Sequence, residues 1–429
     1  MVPGMPPREP SLPFVDALSV VDLPERRKAR GAFFTPGPLC RFVAQWAIHD
    51  HTDRVLEPSC GDAAFLLAAG DRLRSLDPGH RPQLTGIEIH GDSAARARAL
   101  LAAAELPATI VVDDFLSMEV MPAYEAVIGN PPFVRYQEFR GTSREVARKA
   151  ALQSGVSLSG LASSWAAFTV HATRFLAPGG RLGMVLPAEL LTVNYAEPVR
   201  RFLLERFAKV SLVTFTDRVF SDVQEEVVLL LASGRGPSSE VHIGEVRDAS
   251  QLPSVSLSPW RAPLEGKWSP ALMPAAAREH YQATVAGSGF RTLRSWGRTA
   301  LGAVTGNNGF FTLSGLQAEQ LGLAREDLIP LSPPGSRHLR GLRLSSDDWQ
   351  ALADRDARVW LFRPTEPSAA AQRYIWRGQE QAVHRAYKCR MRTPWWRVPL
   401  NASVPDLFLT YMNAEAPQLS TTTRRELRM

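Results

Sequence analysis

Seven short runs of aliphatic and β-branched residues punctuate the first half of the chain: "RVLEP", "QLTGIEI", "ATIVVDD", "EAVIGN", "GRLGMVLP", "KVSLVTFT" and "EEVVLLLAS". Apolar runs of this length, bounded by turn residues, mark strands buried on both faces. Between them the period becomes helical. In "FFTPGPLCRFVAQWAIHD", Thr35 is placed to cap, Pro36 suits the first helical position, and Leu39, Phe42, Val43 and Trp46 fall on one face. "SSWAAFTVHATRFL" reads as another helix, closed by the turn "APGG". Strands alternating with helices predict an α/β domain over residues 30–235, a doubly wound seven-stranded sheet that is parallel except for an antiparallel final pair. Near residue 234 the texture changes. "SGRGPSSE" and "QLPSVSLSPW" read as a linker, and residues 236–429, rich in Arg, Trp and turn residues, are expected to form a second, mixed α+β domain. The proline-rich residues 1–29 are expected to be an arm.

At 429 residues the chain exceeds one ordinary core, and domains of roughly 100–200 residues predict two or three. It is 45% hydrophobic and 21% charged, a globular balance, and no run of about 18 apolar residues is present to span a bilayer. The start lacks the basic-then-apolar layout of a secretory signal, so a cytoplasmic location is expected. Cys40, Cys60 and Cys389 lack CxxC or Cys/His spacing, which argues against a zinc site and a disulfide framework. The net charge of +6, from 49 basic and 43 acidic residues, is only a mild pointer to an anionic partner, because placement matters more than the sum.

Chemistry gathers at the ends of the apolar runs. In "RVLEPSCGDAAF" a strand closes on Glu57 and passes through Ser59 and Gly61 into a helix, a turn of small residues that lets backbone approach a ligand at the carboxyl edge of a sheet. The dinucleotide pattern G-x-G-x-x-G is absent, which disfavours NAD. Glu88, followed by Ile89, closes the next run where a carboxylate could accept both protons of a ribose diol. Asp114 could accept from an adenine amino group while Phe115 packs against the purine. An acidic residue at a strand end is most often simply solvated, but three at successive ends favour a nucleoside site.

"VIGNPPFVRY" stops a strand abruptly because proline denies the sheet its N–H donor. Asn130 and the Pro131 carbonyl could then form a pair of acceptors for one exocyclic amino group. Drawing off both protons favours a tetrahedral nitrogen able to attack a methyl sulfonium, without a strong base. Phe133 supplies a ring for the base to stack upon. A strand-terminating turn with a buried phenylalanine is the plainer alternative.

These motifs, in this order, resemble those of the gamma-class adenine-N6 DNA methyltransferases: "GAFFTP", "EPSCGDAAF", "IEIHG", "DDFL" and "NPPF". The resemblance covers residues 30 to 235. It implies a Rossmann-like sheet, S-adenosylmethionine as cofactor, double-stranded DNA as partner, base flipping, and a carboxyl-terminal target-recognition domain. It places Thr35 near the methionine end of the cofactor, with Glu57, Ser59, Gly61, Glu88, Ile89, Asp114, Phe115 and Asn130 as further cofactor residues. Asn130, Pro131 and Phe133 become catalytic. Through "DRVFSDVQEEVVLLL", Phe220 becomes a second aromatic against the flipped base. "NPPF" fits the adenine branch better than the "SPPY" usual for cytosine N4.

Two departures stand out. Ala63 occupies a position where many relatives have glycine, which suits negative φ and would cost about a kcal/mol at positive φ. Relatives also usually continue beyond a segment like "PDLFLTYMN", so the recognition domain is expected to be incomplete. Residues 373–397 hold seven Arg or Lys, five Tyr or Trp and one acid, and are expected to present a DNA face through Arg385, Lys388, Arg390, Arg392, Trp395, Trp396 and Arg397. The tryptophans could equally be core, with the arginines a solvated rim. "LGAVTGNNGFFTL" resembles the segment that opens the relatives' recognition domain, and a simple hairpin would look the same. His171 and His384 carry no partner pattern and read as structural or, at most, phosphate-contacting. No metal site or PD…ExK nuclease pattern is evident, which leaves room for a separate restriction endonuclease; a monomer is expected. An RNA or protein-amide methyltransferase, or a DNA-binding relative with a disabled core, stand as alternatives.

Overall fold

The computed structural model describes residues 35–135, 141–220, 226–287, 289, 291–400, 405–410 and 417–422. The expected arm, 1–29, lies outside them. All seven apolar runs form strands: β1 (Arg54–Glu57), β2 (Gln83–Glu88), β3 (Ala108–Val112), β4 (Tyr124–Gly129), β5 (Leu176–Pro187), β6 (Lys209–Phe215) and β7 (Val227–Ser233). Two further strands, β8 (Val241–Val246) and β9 (Ser258–Trp260), join the same sheet, whose order is β3-β2-β1-β4-β5-β7-β6-β8-β9. The sheet therefore has nine strands among the described residues rather than seven. β1 to β5 run parallel. β7 slots between β5 and β6, antiparallel to both, so the inversion lies inside the sheet and not in a pair at its edge. β8 then pairs parallel with β6, and β9 antiparallel with β8.

The sheet is covered on both faces because successive residues of a strand point to opposite sides. Val55, Ala126 and Ile128 pack with Leu39, Val43, Phe65 and Leu66 on one side. Leu56, Val127 and Leu182 pack with Trp165, Ala166, Phe175 and Leu203 on the other. The first layer is carried by α1 (Gly37–Ala47), α2 (Ala64–Leu76) and α3 (Gly91–Ala103), the second by α4 (Thr142–Leu152), α5 (Ser164–Ala172) and α6 (Glu197–Arg206). Each large aliphatic or Phe side chain so buried contributes roughly 1.5–3 kcal/mol.

α1 departs from its expectation in detail. Its N-cap is Pro36, at φ −58° and ψ 135°, with no side-chain capping bond, so Thr35 does not cap. The buried face is Leu39, Cys40, Val43, Ala44 and Ala47, while Phe42 and Trp46 are half-buried.

The compact units part at a different place from the expected 235/236 boundary. The chain divides into two compact units, Met1–Gly287 and Ser288–Met429. "SGRGPSSE" is a connection between two strands of one sheet, and β8 matches β6 residue for residue from Val210↔Val241 to Phe215↔Val246. Within the second unit, β10 (Thr312–Leu313), β11 (Leu328–Pro330) and β13 (Trp360–Phe362) form one three-stranded sheet, and β12 (Arg343–Leu344), β14 (Leu407–Thr410) and β15 (Gln418–Thr422) another. Asn307 caps the single helical turn Asn308–Phe311 that leads into β10. Phe310 stacks on Tyr374 with ring centroids 4.4 Å apart and planes 1° off parallel. This unit is mixed α+β, as expected. All three cysteines are buried and free. No helix among the described residues is long and apolar enough to cross a membrane.

Candidate active site

β1, β2 and β4 deliver their last residues to one edge of the sheet, since Leu56 pairs with both Thr85 and Val127 in parallel register. Glu57, at the end of β1, is buried and accepts the N–H of Leu66, in the first turn of α2, at 3.1 Å. Burial pushes its carboxyl well above the usual range; the nearby Glu88 charge adds to this, and the Leu66 and Phe65 amides oppose it. Glu88 accepts from Gly61 N–H at 3.0 Å and from His90 N–H at 2.9 Å. A carboxylate has about four acceptor positions, so roughly two stay open to a ligand diol. The intervening turn is held by Gly61 at φ +49° and Ala63 at φ +62°, both left-handed. A Cβ on Gly61 would meet nothing within 4 Å, so its backbone angle is what calls for glycine.

At the end of β3, Asp114 turns its carboxylate back to Leu116 N–H at 3.0 Å, capping the short turn Phe115–Ser117. Phe115 is only 2% exposed, its ring 5.4, 4.9 and 5.0 Å from Phe168, His171 and Phe175. It thus packs within an aromatic cluster of the core. The apolar surface at that edge is Ile89, 58% exposed.

Asn130 follows β4 directly. Its Nδ2 donates to Thr35 Oγ1 at 3.2 Å, across 95 residues of sequence. The amide orientation that gives Thr35 this proton leaves Oδ1 buried without a hydrogen-bond partner among the described residues. Asn130 and Pro131 line a narrow cleft with Pro58, Ser59, Phe168 and Met184. Phe133 is half-buried at the rim of both apolar layers. Phe220 is 5% exposed and belongs to the layer that includes Val213 and Val227. Residues 221–225, which follow it, lie outside the described residues. A hollow of about 560 Å³ near Arg81, Arg98 and Glu105 opens beside the start of β3, the edge away from these residues, and is not part of the site.

The structure thus brings Thr35 to Asn130, gathers Glu57, Gly61 and Glu88 around one turn, and sets Ser59 beside Asn130 and Pro131. Sequence reasoning missed Phe168 and Met184, whose apolar character gave no sign of the cleft. It also missed Ser164, whose hydroxyl donates to the Pro132 carbonyl and accepts Val134 N–H at 2.9 Å.

In the second unit Arg385, Lys388, Arg390 and Arg397 are exposed. Lys388 and Arg390 flank the Tyr387 ring at 5.6 and 5.8 Å, and Arg397 lies 5.7 Å from the half-buried Trp396 ring while donating to Thr365 O at 2.9 Å. Arg392 is not a free basic side chain. It holds the carbonyls of Lys388 at 2.8 Å, Val304 at 3.1 Å and Thr305, and lies 5.5 Å over Phe311. The half-buried Trp395 packs on Phe310 and Phe311 at 5.7 and 6.1 Å.

Comparison with known proteins agrees with this layout. Residues 265–425 match the C-terminal domain of type II methyltransferase M.Eco57I, and residues 23–251, over half of the chain, match the N-6 DNA Methylase family. Type II methyltransferase M.XamI of Xanthomonas campestris pv. amaranthicola is 26% identical over 413 residues, 93% of this chain and 74% of the relative. Type II methyltransferase M.AccI of Acinetobacter calcoaceticus is 20% identical over 395 residues, 89% and 71% of the two chains. A DrdV–DNA complex solved by cryo-EM shares the fold with a TM-score of 0.51, at 14% identity over 67% of this chain and 36% of that one. With the strand-end acids, the Asn-Pro-Pro corner and a family match spanning most of the sheet unit, the chain belongs to the N-6 DNA methylases.

Proposed function

We propose that this chain is a site-specific DNA methyltransferase acting on N6 of an adenine, with S-adenosylmethionine as the methyl donor. The observation that carries the reading is the buried Oδ1 of Asn130, an acceptor without a hydrogen-bond partner among the described residues and held in place by Thr35. A buried acceptor without a donor costs about 1–3 kcal/mol, so its persistence points to a ligand N–H.

The donor fits the residues present. Glu88 keeps acceptor capacity for a ribose diol, Ile89 offers an exposed apolar face, and the turn at Gly61 has no side chain to bar approach. When bound, S-adenosylmethionine supplies an electrophilic methyl group. The chain's own residues do the rest. Asn130 Oδ1 and the Pro131 carbonyl accept the two amino protons, holding the lone pair on nitrogen and out of the purine ring. Phe133 supplies a stacking surface, and the base leaves the duplex to reach it. Exposed Arg385, Lys388, Arg390 and Arg397 meet DNA phosphates, each contact contributing a slope of about −0.9 in log affinity against log salt. In this reading the substrate is double-stranded DNA, the protein acts as a monomer, and a separate endonuclease is its biological counterpart.

The test follows labelled methyl groups from S-adenosylmethionine into DNA. Asn130→Ala is expected to lower kcat by about 10²–10³ while still binding donor. Wild-type protein that binds donor but labels no DNA of any sequence would sink the proposal, and label entering RNA or a protein amide instead would favour the enzymatic alternative.

A further inference from the structure

We infer that Ser164 is a positioning residue that sets the direction of the Phe133 ring. This rests on the reading of Phe133 as the target-base platform. The stretch from Asn130 to Val134 contains two prolines, which lack N–H donors, so it cannot hold itself by a backbone ladder. The missing bonds come from one serine thirty residues on. The Ser164 hydroxyl donates to the Pro132 carbonyl and accepts Val134 N–H at 2.9 Å, and the Ser164 N–H donates to the Val134 carbonyl at 3.0 Å.

Pro132 C=O belongs to the peptide plane before Phe133, and Val134 N–H to the plane after it. These two planes define φ and ψ of Phe133. One hydroxyl therefore fixes both soft angles of that residue, and with them the line along which its side chain leaves the backbone. The N-cap of α5 is Ser163, the residue whose hydroxyl would ordinarily serve that helix's first amides, and Ser164 is the first residue inside the helix. Here α5 has no side-chain cap, and Ser164, 1% exposed, turns to the loop.

The start of α5 is itself anchored. Trp165 Nε1 donates to Glu189 Oε2 at 3.1 Å and lies 3.2 Å from Tyr195 Oη, while Tyr195 donates to the same Glu189 oxygen at 2.5 Å. Glu189 opens a short helix just beyond β5. The Phe133 platform is thus tied to the sheet through Ser164, Trp165 and Glu189.

The experiment compares wild type with Ser164→Ala and Ser164→Thr, the latter keeping the hydroxyl. Four quantities are read: kcat and KM for methylation of DNA, donor affinity, the fluorescence of 2-aminopurine at the target position, and hydrogen exchange of the Val134 amide. Ser164→Ala is expected to lower kcat about 10- to 100-fold, the scale of a misplacement near 1 Å, with KM and donor affinity within about threefold. It should also change 2-aminopurine quenching and speed Val134 exchange at least tenfold, with Ser164→Thr recovering most of each effect. If Val134 exchange is unchanged in Ser164→Ala, the clamp is refuted without reference to turnover. An unchanged kcat with faster exchange would reduce Ser164 to a structural contact. Should Ser164→Ala fail to melt cooperatively, Ser164→Cys takes its place under the same criteria. Absence of DNA methylation by wild type refutes the target reading and, with it, this role, whereas the exchange measurement separates that failure from failure of the clamp.

Discussion

Ala63 carries a backbone strain that is local, and its cost can be weighed. At φ +62° and ψ +30° it occupies the left-handed region, which costs a non-glycine residue about 1–2 kcal/mol. Its methyl group is fully buried, and burying one such group offsets about 0.8 kcal/mol. Ala63→Gly releases the strain but loses the methyl and frees the unfolded chain, so urea unfolding should place it within about 1 kcal/mol of wild type. Ala63→Val puts a branched residue at positive φ in a closed space and should cost about 3 kcal/mol or more. His171 offers a second residue-scale test. Burial among aromatic rings lowers its pKa from 6.5 to about 4, with the Arg174 charge adding to this. Between those values the unfolded chain binds the extra proton, so stability is fully present above pH 6.5 and falls as pH drops toward 4, by about 3 kcal/mol at most. A His171→Phe variant should lose that limb of the stability–pH curve, measured against wild type in the same denaturant series.

Whole strands were easier to read than faces and partners. Seven apolar runs gave seven strands because residues such as Val127 and Leu230 are buried whichever way the pleat turns them. The buried face of α1 was half-legible. Phe42 and Trp46 carry the strongest hydrophobic signal, yet the small residues Cys40, Ala44 and Ala47 make the close contact. β8 and β9 were hidden by the Pro, Ser and Gly around them, although "VHI" alternates as a strand should. The strand-end acids stood out in the sequence as a set, whereas the packing of Phe115, Phe220, Arg392 and Trp395 did not. Residue type does not disclose which neighbour a ring or guanidinium will meet. Gly378, inside the helix Ala369–Glu380, makes the point energetically. Alanine there gains about 1 kcal/mol of helix propensity, but its Cβ would stand 2.6 Å from the Phe310 ring and 2.7 Å from Trp395. Overpacking of roughly 1–3 kcal/mol should win, so thermal melting of Gly378→Ala is expected to fall below wild type.

For the whole molecule, the division at Gly287 makes a clean prediction about fragments. A chain cut after residue 235 loses β8 and β9 and with them the buried Trp260 and Trp268. Loss of a large buried aromatic costs about 3–5 kcal/mol each, and the bared edge of β6 invites pairing with other chains. A fragment ending at Gly287 keeps all nine strands of the sheet. Sedimentation and calorimetry should find the longer fragment monodisperse with a cooperative transition and the shorter one aggregated; equal behaviour would favour the 235/236 boundary. The seat of β7 between β5 and β6 has a consequence for synthesis. β6 leaves the ribosome before β7 yet cannot dock, because its place in the sheet does not exist until residue 233 has been made. At about 5–20 residues per second, the hydrogen-bonding flank of β5 stays bare for several seconds after Pro187 emerges. In that interval a nascent chain is open to capture by any passing strand, so its yield in the cell should depend on chaperone supply more than its final stability would suggest.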